Sequence, residues 1–453
     1  MDRIITGIEL GERELRVAVG RQRPDSIRMI AHMETPSGGI ENQAVVDPHE
    51  LAAGLAGISR KLRTTVDFVL ESVMFVIPSG PLTFHETEAS AKPSGHRGSV
   101  TESDGQRLLE RGRPSFASND RRLIHVIPQG YTLDGRETER LPIGKQGREL
   151  NGLTLSVSCE TDTITNLREA GRLAGVENMT LMAGPLAESY AALTETERER
   201  GAAILSIGDH TSTLTVLHYG RFLGLATIAI GAHHFVNDLS IALQLPYPTA
   251  QAVLEQVTTL SNTLGAPRPR ITVDGHEGLE INQTEMIATL RDRAGELFTL
   301  TQSAVEMIAA GRELPGGIVI AGQPILGGGL IGLARSILSF PVHRATPRGI
   351  EGIPLALSTD TAWVPAIGAL AWAGVSAASR ARPWVRTDIE QSEGVLGRWM
   401  RRARLRRAAG AGAARTPEIT QGNQDSERAA RRRNAAVARG NDRRARRRET
   451  VKA

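Results

Sequence analysis

Cysteine and aromatic residues are the scarcest features of this chain: one cysteine, Cys159, and 4 % aromatics in 453 residues. A single thiol excludes an internal disulfide framework, and no Cys/His group has zinc-finger spacing, so a reducing compartment is expected. Cys159 falls in an apolar stretch and reads as a buried structural thiol. With so few aromatics in a 40 % apolar chain, the core must be aliphatic, as in mixed α/β folds. The opening Met1-Asp-Arg-Ile-Ile-Thr6 has no basic segment before an apolar one, so no secretory signal is expected. Spanning segments are scarce too. The uncharged runs Gly316–Ala334 and Thr361–Ser379 are short and broken by Pro324 and Pro365. The first reads as strand, Gly loop and helix start, the second as a buried helix.

What is abundant is positive charge at one end. From Arg398 to Ala453 there are 18 Lys/Arg against 5 Asp/Glu, so the net of +4 hides an acidic body with a strongly basic tail. Such a tail seeks an anionic partner, a membrane surface or a nucleic acid. The length exceeds the ~250–300 residues at which single cores stop growing, so more than one compact unit is expected.

Alternation predicts two strands around a Gly turn in residues 3–20, a helix over 48–65 and a buried strand over 66–78. Residues 79–120, rich in Ser, Gly, Pro and charge, read as an exposed excursion with one helix near Glu102–Arg111. Strands are predicted over 122–133 and 152–159, an amphipathic helix over 161–176, a helix over 232–245, and a polar arm near 260–285.

The stretch Ala203-Ile-Leu-Ser-Ile-Gly-Asp-His-Thr-Ser-Thr-Leu-Thr-Val216 is a second strand–Gly turn–strand unit, about 200 residues after the first. Turns of this kind can point backbone N–H groups at an anion. Two such hairpins and a late strand–Gly loop–helix are what an actin-like cleft requires. Gly7-Ile-Glu-Leu-Gly11, His125-Val-Ile-Pro-Gln-Gly-Tyr131, Leu141-Pro-Ile-Gly144, Leu150-Asn-Gly-Leu153, Ala183–Leu193, Gly231–Ser240 and Ile318-Val-Ile-Ala-Gly322 together resemble the FtsA family, the membrane-associated bacterial relatives of actin. His125–Tyr131 is the most specific of these, because general actin relatives lack it.

The resemblance implies an α/β, actin-like fold of two RNase H-like α/β domains with an FtsA-type inserted subdomain and a disordered basic C-terminal tail. Residues 1–78, completed by 161–200 and 330–380, would form the first domain, 79–160 the insertion, and 201–329 the second domain with a polar arm near 246–300. Residues 381–394 would be a linker, 395–409 an amphipathic membrane-binding helix and 410–453 a polybasic tail. Its nucleotide-site positions fall on Gly11, Glu12, Gly208, Asp209, Thr211, Gly231, Asp238, Gly322 and Gln323. The family's ligand is ATP with Mg²⁺. Its partner is the tubulin-like protein FtsZ, held at the cytoplasmic side of the inner membrane at the division site, and it self-associates into filaments.

The departures from that pattern are concentrated in the site. Ser206 stands where the family has the Mg²⁺-holding carboxylate, Asp209 and His210 where it has glycines, Glu12 where it has Thr, and Gln323 where it has Gly. A carboxylate aimed at a phosphate is repelled by roughly 4 kcal/mol per unit-charge pair at ~4 Å and an effective dielectric near ~20. Nucleotide binding is therefore expected to be lost or nearly lost, leaving no certain cofactor. No catalytic residues and no metal ligands are expected. The adjacent His233 and His234 point about 100° apart on a helix and cannot easily share an ion.

In the tail, Val395, Leu396, Trp399, Met400 and Ala403 recur at helical spacing among Arg398, Arg401, Arg402, Arg404 and Arg406, the composition of an interfacial cationic helix. Beyond it, membrane attachment, nucleic-acid contact and protein docking stay open, although the lack of interleaved aromatics argues against a single-strand stacking platform. The expected function is a peripheral membrane adaptor for division rather than a working ATPase. The alternatives are an ATP-binding polymerising protein with residual hydrolysis and an actin-like scaffold for pilus assembly or polarity.

Overall fold

The computed structural model describes residues 3–24, 26–66, 70, 72–114, 120–138, 141–256, 270–272, 280–323 and 327–378. The expectations for 381–453, including Leu396, Arg398, Trp399, Met400, Arg401 and Arg402, lie outside the described residues, as does most of the arm at 260–285.

The chain opens with β1 (Ile4–Leu10), β2 (Glu14–Gln22) and β3 (Ile27–Pro36). A small ladder of β4 (Ile40–Glu41) and β5 (Ala44–Val45) leads to α1 (Pro48–Val66) and β6 (Ser72–Ile77). In α1 the buried Leu51, Leu55, Ile58 and Leu62 recur every three or four residues, so one face meets the sheet. The inserted segment holds β7 (Leu82–Ala91), α2 (Glu102–Arg111), β8 (Arg121–Leu133), β9 (Arg136–Thr138) and β10 (Leu150–Glu160). The chain then returns through α3 (Thr161–Leu173), β11 (Asn178–Ala183), α4 (Gly184–Ala192) and α5 (Glu195–Arg200).

The second half runs β12 (Ala202–Ile207), β13 (Ser212–His218), β14 (Arg221–Ile228), α6 (Ala232–Ala242) and α7 (Tyr247–Gln256). A short pair, β15 (Arg270–Thr272) and β16 (Glu280–Asn282), precedes α8 (Gln283–Ala309), β17 (Ile318–Gly322), α9 (Gly327–Ile337) and β18 (Val342–Arg344). The short α10 (Leu355–Ser358) and α11 (Val364–Ala378) complete it.

The two large sheets have one plan. Their orders are β11-β6-β1-β2-β3 and β14-β13-β12-β17-β18. In each, three antiparallel strands in sequence are followed by two strands added in parallel. Each half therefore presents its first hairpin turn at a corresponding place.

Three expectations shift. Residues 82–91 are a strand, not part of an exposed excursion: β7 pairs with β10 from Leu82↔Cys159 to Ala91↔Leu150, and its polar residues mark the open face of a four-stranded sheet. The arm near 246–300 contains α7 and most of α8, whose Met286, Leu290, Leu297 and Phe298 are buried in the second core; the charged outer face dominates the composition. The second sheet also continues past residue 329, since β18 pairs with β17.

The Ala/Gly-rich α11 is the element that binds the first half together, packing on β1, β2, β6 and α4. A Cβ at Gly368 would lie 2.0 Å from the Ala187 carbonyl oxygen and one at Gly7 would lie 2.8 Å from that of Ala366, so the small residues allow backbone-to-backbone approach. No helix among the described residues is long and apolar enough to cross a membrane.

Candidate functional site

The β1–β2 and β12–β13 turns face each other across a cleft. Both begin with a glycine because the returning strand fills the space a side chain would need. A Cβ on Gly11 would meet the Glu14 carbonyl oxygen at 2.4 Å, and one on Gly208 that of Thr211 at 2.6 Å. Between the halves lies a cavity of about 100 Å³, lined by Gly11, Glu12, Gly208, Asp209, Thr211, Gly322 and Gln323 among others. This is below the ~300–1,000 Å³ of typical small-molecule pockets. The structure thus brings together seven of the nine expected site residues.

The other two stand apart from the lining. Gly231 packs under the second turn, where a Cβ would lie 2.4 Å from the Asp209 carbonyl oxygen. Asp238, on α6, holds Arg293 of α8 in a fork, accepting from Nε at 2.6 Å and Nη2 at 3.0 Å.

Protein groups already occupy much of the polarity around the second turn. At the start of α6 the Ala232 and His233 N–H groups donate to the Gly208 and Asp209 carbonyls at 2.9 and 2.8 Å, and the Gly231 N–H donates to His234 Nδ1 at 3.1 Å. The free donors that make a helix N-terminus an anion site are therefore spent on the hairpin. Across the cleft, Gln43 Nε2 donates to Thr211 Oγ1 at 2.7 Å and Ser79 shares a hydroxyl bond with Thr213 at 2.5 Å. The Gln43 backbone N–H donates to Glu12, and the Gly80 N–H donates to Gln43 Oε1 at 2.8 Å. The Gln43–Thr211 and Ser79–Thr213 bonds tie the halves together directly, and the other two brace Gln43 within the first half. The Gln323 N–H donates to the Ile207 carbonyl, and Thr361 Oγ1 donates to that of Gly322, whose φ of 89° and tight approach to Ile207 demand glycine.

The floor of the cleft holds a residue that the motif reading passed over. Ser206 Oγ donates at 2.7 Å to Oε1 of Glu188, which projects from α4 and is 7 % exposed. A buried carboxyl group from another element thus stands against Ser206. Burial pushes Glu188 up to about 8, with the nearby Glu9 adding to the rise. Burial likewise raises Glu9 to about 7, against the attraction of Arg16, whose Nη1 lies 3.8 Å away. One sequence signal could have found Glu188: it is the single charge in Gly184–Ala192, a stretch otherwise of small and apolar residues.

The insertion is anchored to both halves. His125 is fully buried on β8, accepts the Ala183 N–H at Nε2 (3.0 Å), and is held down to about 4 by burial, hence neutral. Gln129 Oε1 accepts the Phe222 N–H of β14 at 2.9 Å. The phrase His125–Tyr131 therefore works as a structural joint. Cys159 is buried, as expected, its thiol pushed up to about 12 by burial.

Comparison with known proteins agrees with this architecture. The family described as "SHS2 domain inserted in FTSA" matches residues 82–158, which run from the start of β7 to Ser158 near the end of β10. The chain is 23 % identical over 359 residues to cell division protein FtsA of Pseudomonas aeruginosa, a match covering 78 % of this chain and 85 % of that one. It is 32 % identical over 242 residues to cell division protein FtsA of Helicobacter pylori, covering 51 % and 48 %. Among solved structures, a chain of the "PilM-PilN type IV pilus biogenesis complex" superposes with a TM-score of 0.58 at 17 % identity, covering 82 % of this chain and 98 % of that one, a likeness of fold. With its two matching α/β halves and SHS2-type insertion, the chain is similar over most of its length to the bacterial cell division protein FtsA.

Proposed function

We propose that this protein acts in cell division as a peripheral adaptor, tethering filaments of a tubulin-like FtsZ to the cytoplasmic face of the inner membrane through its basic C-terminal segment. The observation that carries the division role is the SHS2-type insertion at residues 82–158, together with relatives named for division that align over most of the chain. The charge of the tail and the Leu396, Trp399 and Met400 pattern support the membrane role.

Its cleft has given up productive nucleotide chemistry. Four observations support this. The cavity is small, the α6 N-terminal donors are taken, Ser206 stands in place of the expected carboxylate, and Glu12 and Asp209 bring two carboxylates to the cleft lining. The residues present do not fit a Mg²⁺–nucleotide pair. On this reading the chain is a scaffold that works through its surfaces and tail, including any self-association into filaments.

Two measurements test the two parts separately. Full-length protein should float with vesicles containing anionic lipid, recruit FtsZ to them, and lose both properties on deletion of 395–453; retained vesicle binding after the deletion overturns the tether. Calorimetric titration with ATP, with and without Mg²⁺, should give no Mg²⁺-dependent heat. Micromolar, Mg²⁺-dependent binding would establish the alternative, an ATP-regulated polymerising protein.

A further inference from the structure

The side chains at the tips of the two hairpins converge at the mouth of the cleft. Glu12 comes from the β1–β2 turn, Asp209 and His210 from the β12–β13 turn, and one ligand-type atom of each lies within 4.8 Å of the others. His210 Nε2 is 3.4 Å from Glu12 Oε2 and 3.6 Å from Asp209 Oδ2. A charge-assisted hydrogen bond between such groups would close to about 2.7–2.9 Å. The imidazole instead stands off both carboxylates by nearly the same distance. In a tetrahedral zinc site with bonds of about 2.0–2.1 Å, adjacent ligand atoms stand roughly 3.3–3.4 Å apart.

We propose that Glu12, Asp209 and His210 form a site for Zn²⁺, with water in the fourth position, that staples the two halves of the cleft together. The donor set is one imidazole nitrogen and two carboxylate oxygens. That combination suits Zn²⁺ or Co²⁺, whereas Mg²⁺ requires near-octahedral oxygen ligands and keeps its waters. The outer contacts leave the inner atoms available. Glu12 is oriented by the Gln43 N–H on Oε1, which frees Oε2, and Arg13 Nη1 approaches Asp209 at Oδ1, 4.0 Å away, which frees Oδ2. Such outer-shell bonds aim metal-binding carboxylates. His233, whose ring centroid is 4.8 Å from that of His210, bonds to Tyr247 through Nδ1 at 2.8 Å and backs the site without joining it.

This inference goes beyond the adaptor reading and does not depend on it, since vesicle binding does not read the site and Zn²⁺ binding is measured without ATP. The test uses the full-length chain, stripped with a chelator and titrated with Zn²⁺ against a chromophoric competitor, and with Co²⁺ followed in the visible. The wild type should bind one ion with the intense absorption of tetrahedral cobalt, undisturbed by excess Mg²⁺, and its thermal midpoint should rise with Zn²⁺. Each of Glu12→Gln, Asp209→Asn and His210→Ala should weaken binding by at least about 10–100-fold, the loss seen when even outer-shell partners are removed. Glu12→Gln keeps an acceptor for Gln43 and so guards against simple misfolding. His49→Gln, on an exposed helix start, should change nothing. No stoichiometric ion in the wild type, weak octahedral-type cobalt bands, or equal affinity in the triple variant would overturn the proposal.

Discussion

The floor of the cleft offers a direct physical test, the substitution Glu188→Gln. Glu188 carries an ordinary carboxyl that burial raises from 4.5 to about 8 in the folded chain. Between those values the folded protein holds a proton that the unfolded chain releases, so stability falls as pH rises through that window. Each pH unit contributes about 1.36 kcal/mol. At pH 5 Glu188 therefore destabilises by roughly 1 kcal/mol, and at pH 7.5 by roughly 4 kcal/mol. Gln has the shape of the protonated acid, can still accept from Ser206 Oγ, and does not titrate.

The variant should thus be more stable than the wild type, and its advantage should grow by roughly 3 kcal/mol between pH 5 and pH 7.5. Urea unfolding followed by tryptophan fluorescence suits the measurement, because Trp363 and Trp372 are 3 % and 8 % exposed at and within α11, which packs on α4. An advantage equal at both pH values, or a loss at both, would mean that Glu188 is ionised in the folded chain, and the account of a neutral acid under the cleft would fail.

Other consequences are simpler. Gly11→Ala and Gly208→Ala each force a Cβ to within 2.4 and 2.6 Å of a carbonyl oxygen, and should destabilise by about 1–3 kcal/mol, read as a lower thermal midpoint. Asp104 is buried at the start of α2; burial alone would raise it, but bonds from Ser94 and Thr101 hold it near about 2. Asp104→Ala should loosen the insertion by about 1–3 kcal/mol, seen as faster hydrogen exchange in α2. The stability Asp104 supplies is present above its ordinary 3.8 and should be lost as pH falls through about 2. Cys159, buried with its thiol raised to about 12, should resist a thiol-directed disulfide reagent at pH 8 until the chain is unfolded.

Much of the architecture was legible because short-range patterns carried it. The two hairpins, α1, α2, α3 and α11 follow from alternation, 3.6-residue spacing and Gly/Pro punctuation. The helix α8 was hidden by its composition, since charges such as Arg291, Asp292 and Glu296 mask a buried row that a window weighing spacing rather than polarity would find. The strand β7 was hidden by its partners: its Thr, Glu and Ser residues look like loop until β10, some 60 residues later, supplies the ladder. The same limit applies to the site. Motif positions revealed that Ser206 stands where a carboxylate was expected, but only the packing of α4 against β12 reveals that the carboxyl of Glu188 lies against it.

The altered turn residues acquire a different meaning once the halves face each other. Judged against a phosphate-binding pattern, Glu12, Asp209 and His210 are losses, because they add bulk and negative charge where backbone should approach a ligand. In the folded chain those side chains meet one another across the cleft, while Gln43 and Ser79 reach Thr211 and Thr213 beside them. Side chains from both halves bridge the cleft directly. The turn residues that would disfavour a polyphosphate stand beside the Gln43–Thr211 and Ser79–Thr213 bonds that join the halves. Closure of this cleft should therefore be independent of ATP, and reverting Glu12→Thr and Asp209→Gly together should both tighten ATP binding and loosen the nucleotide-free halves, seen as faster hydrogen exchange in the two hairpins. Tighter ATP binding without that loosening would show that the bridge is incidental to how the halves are held.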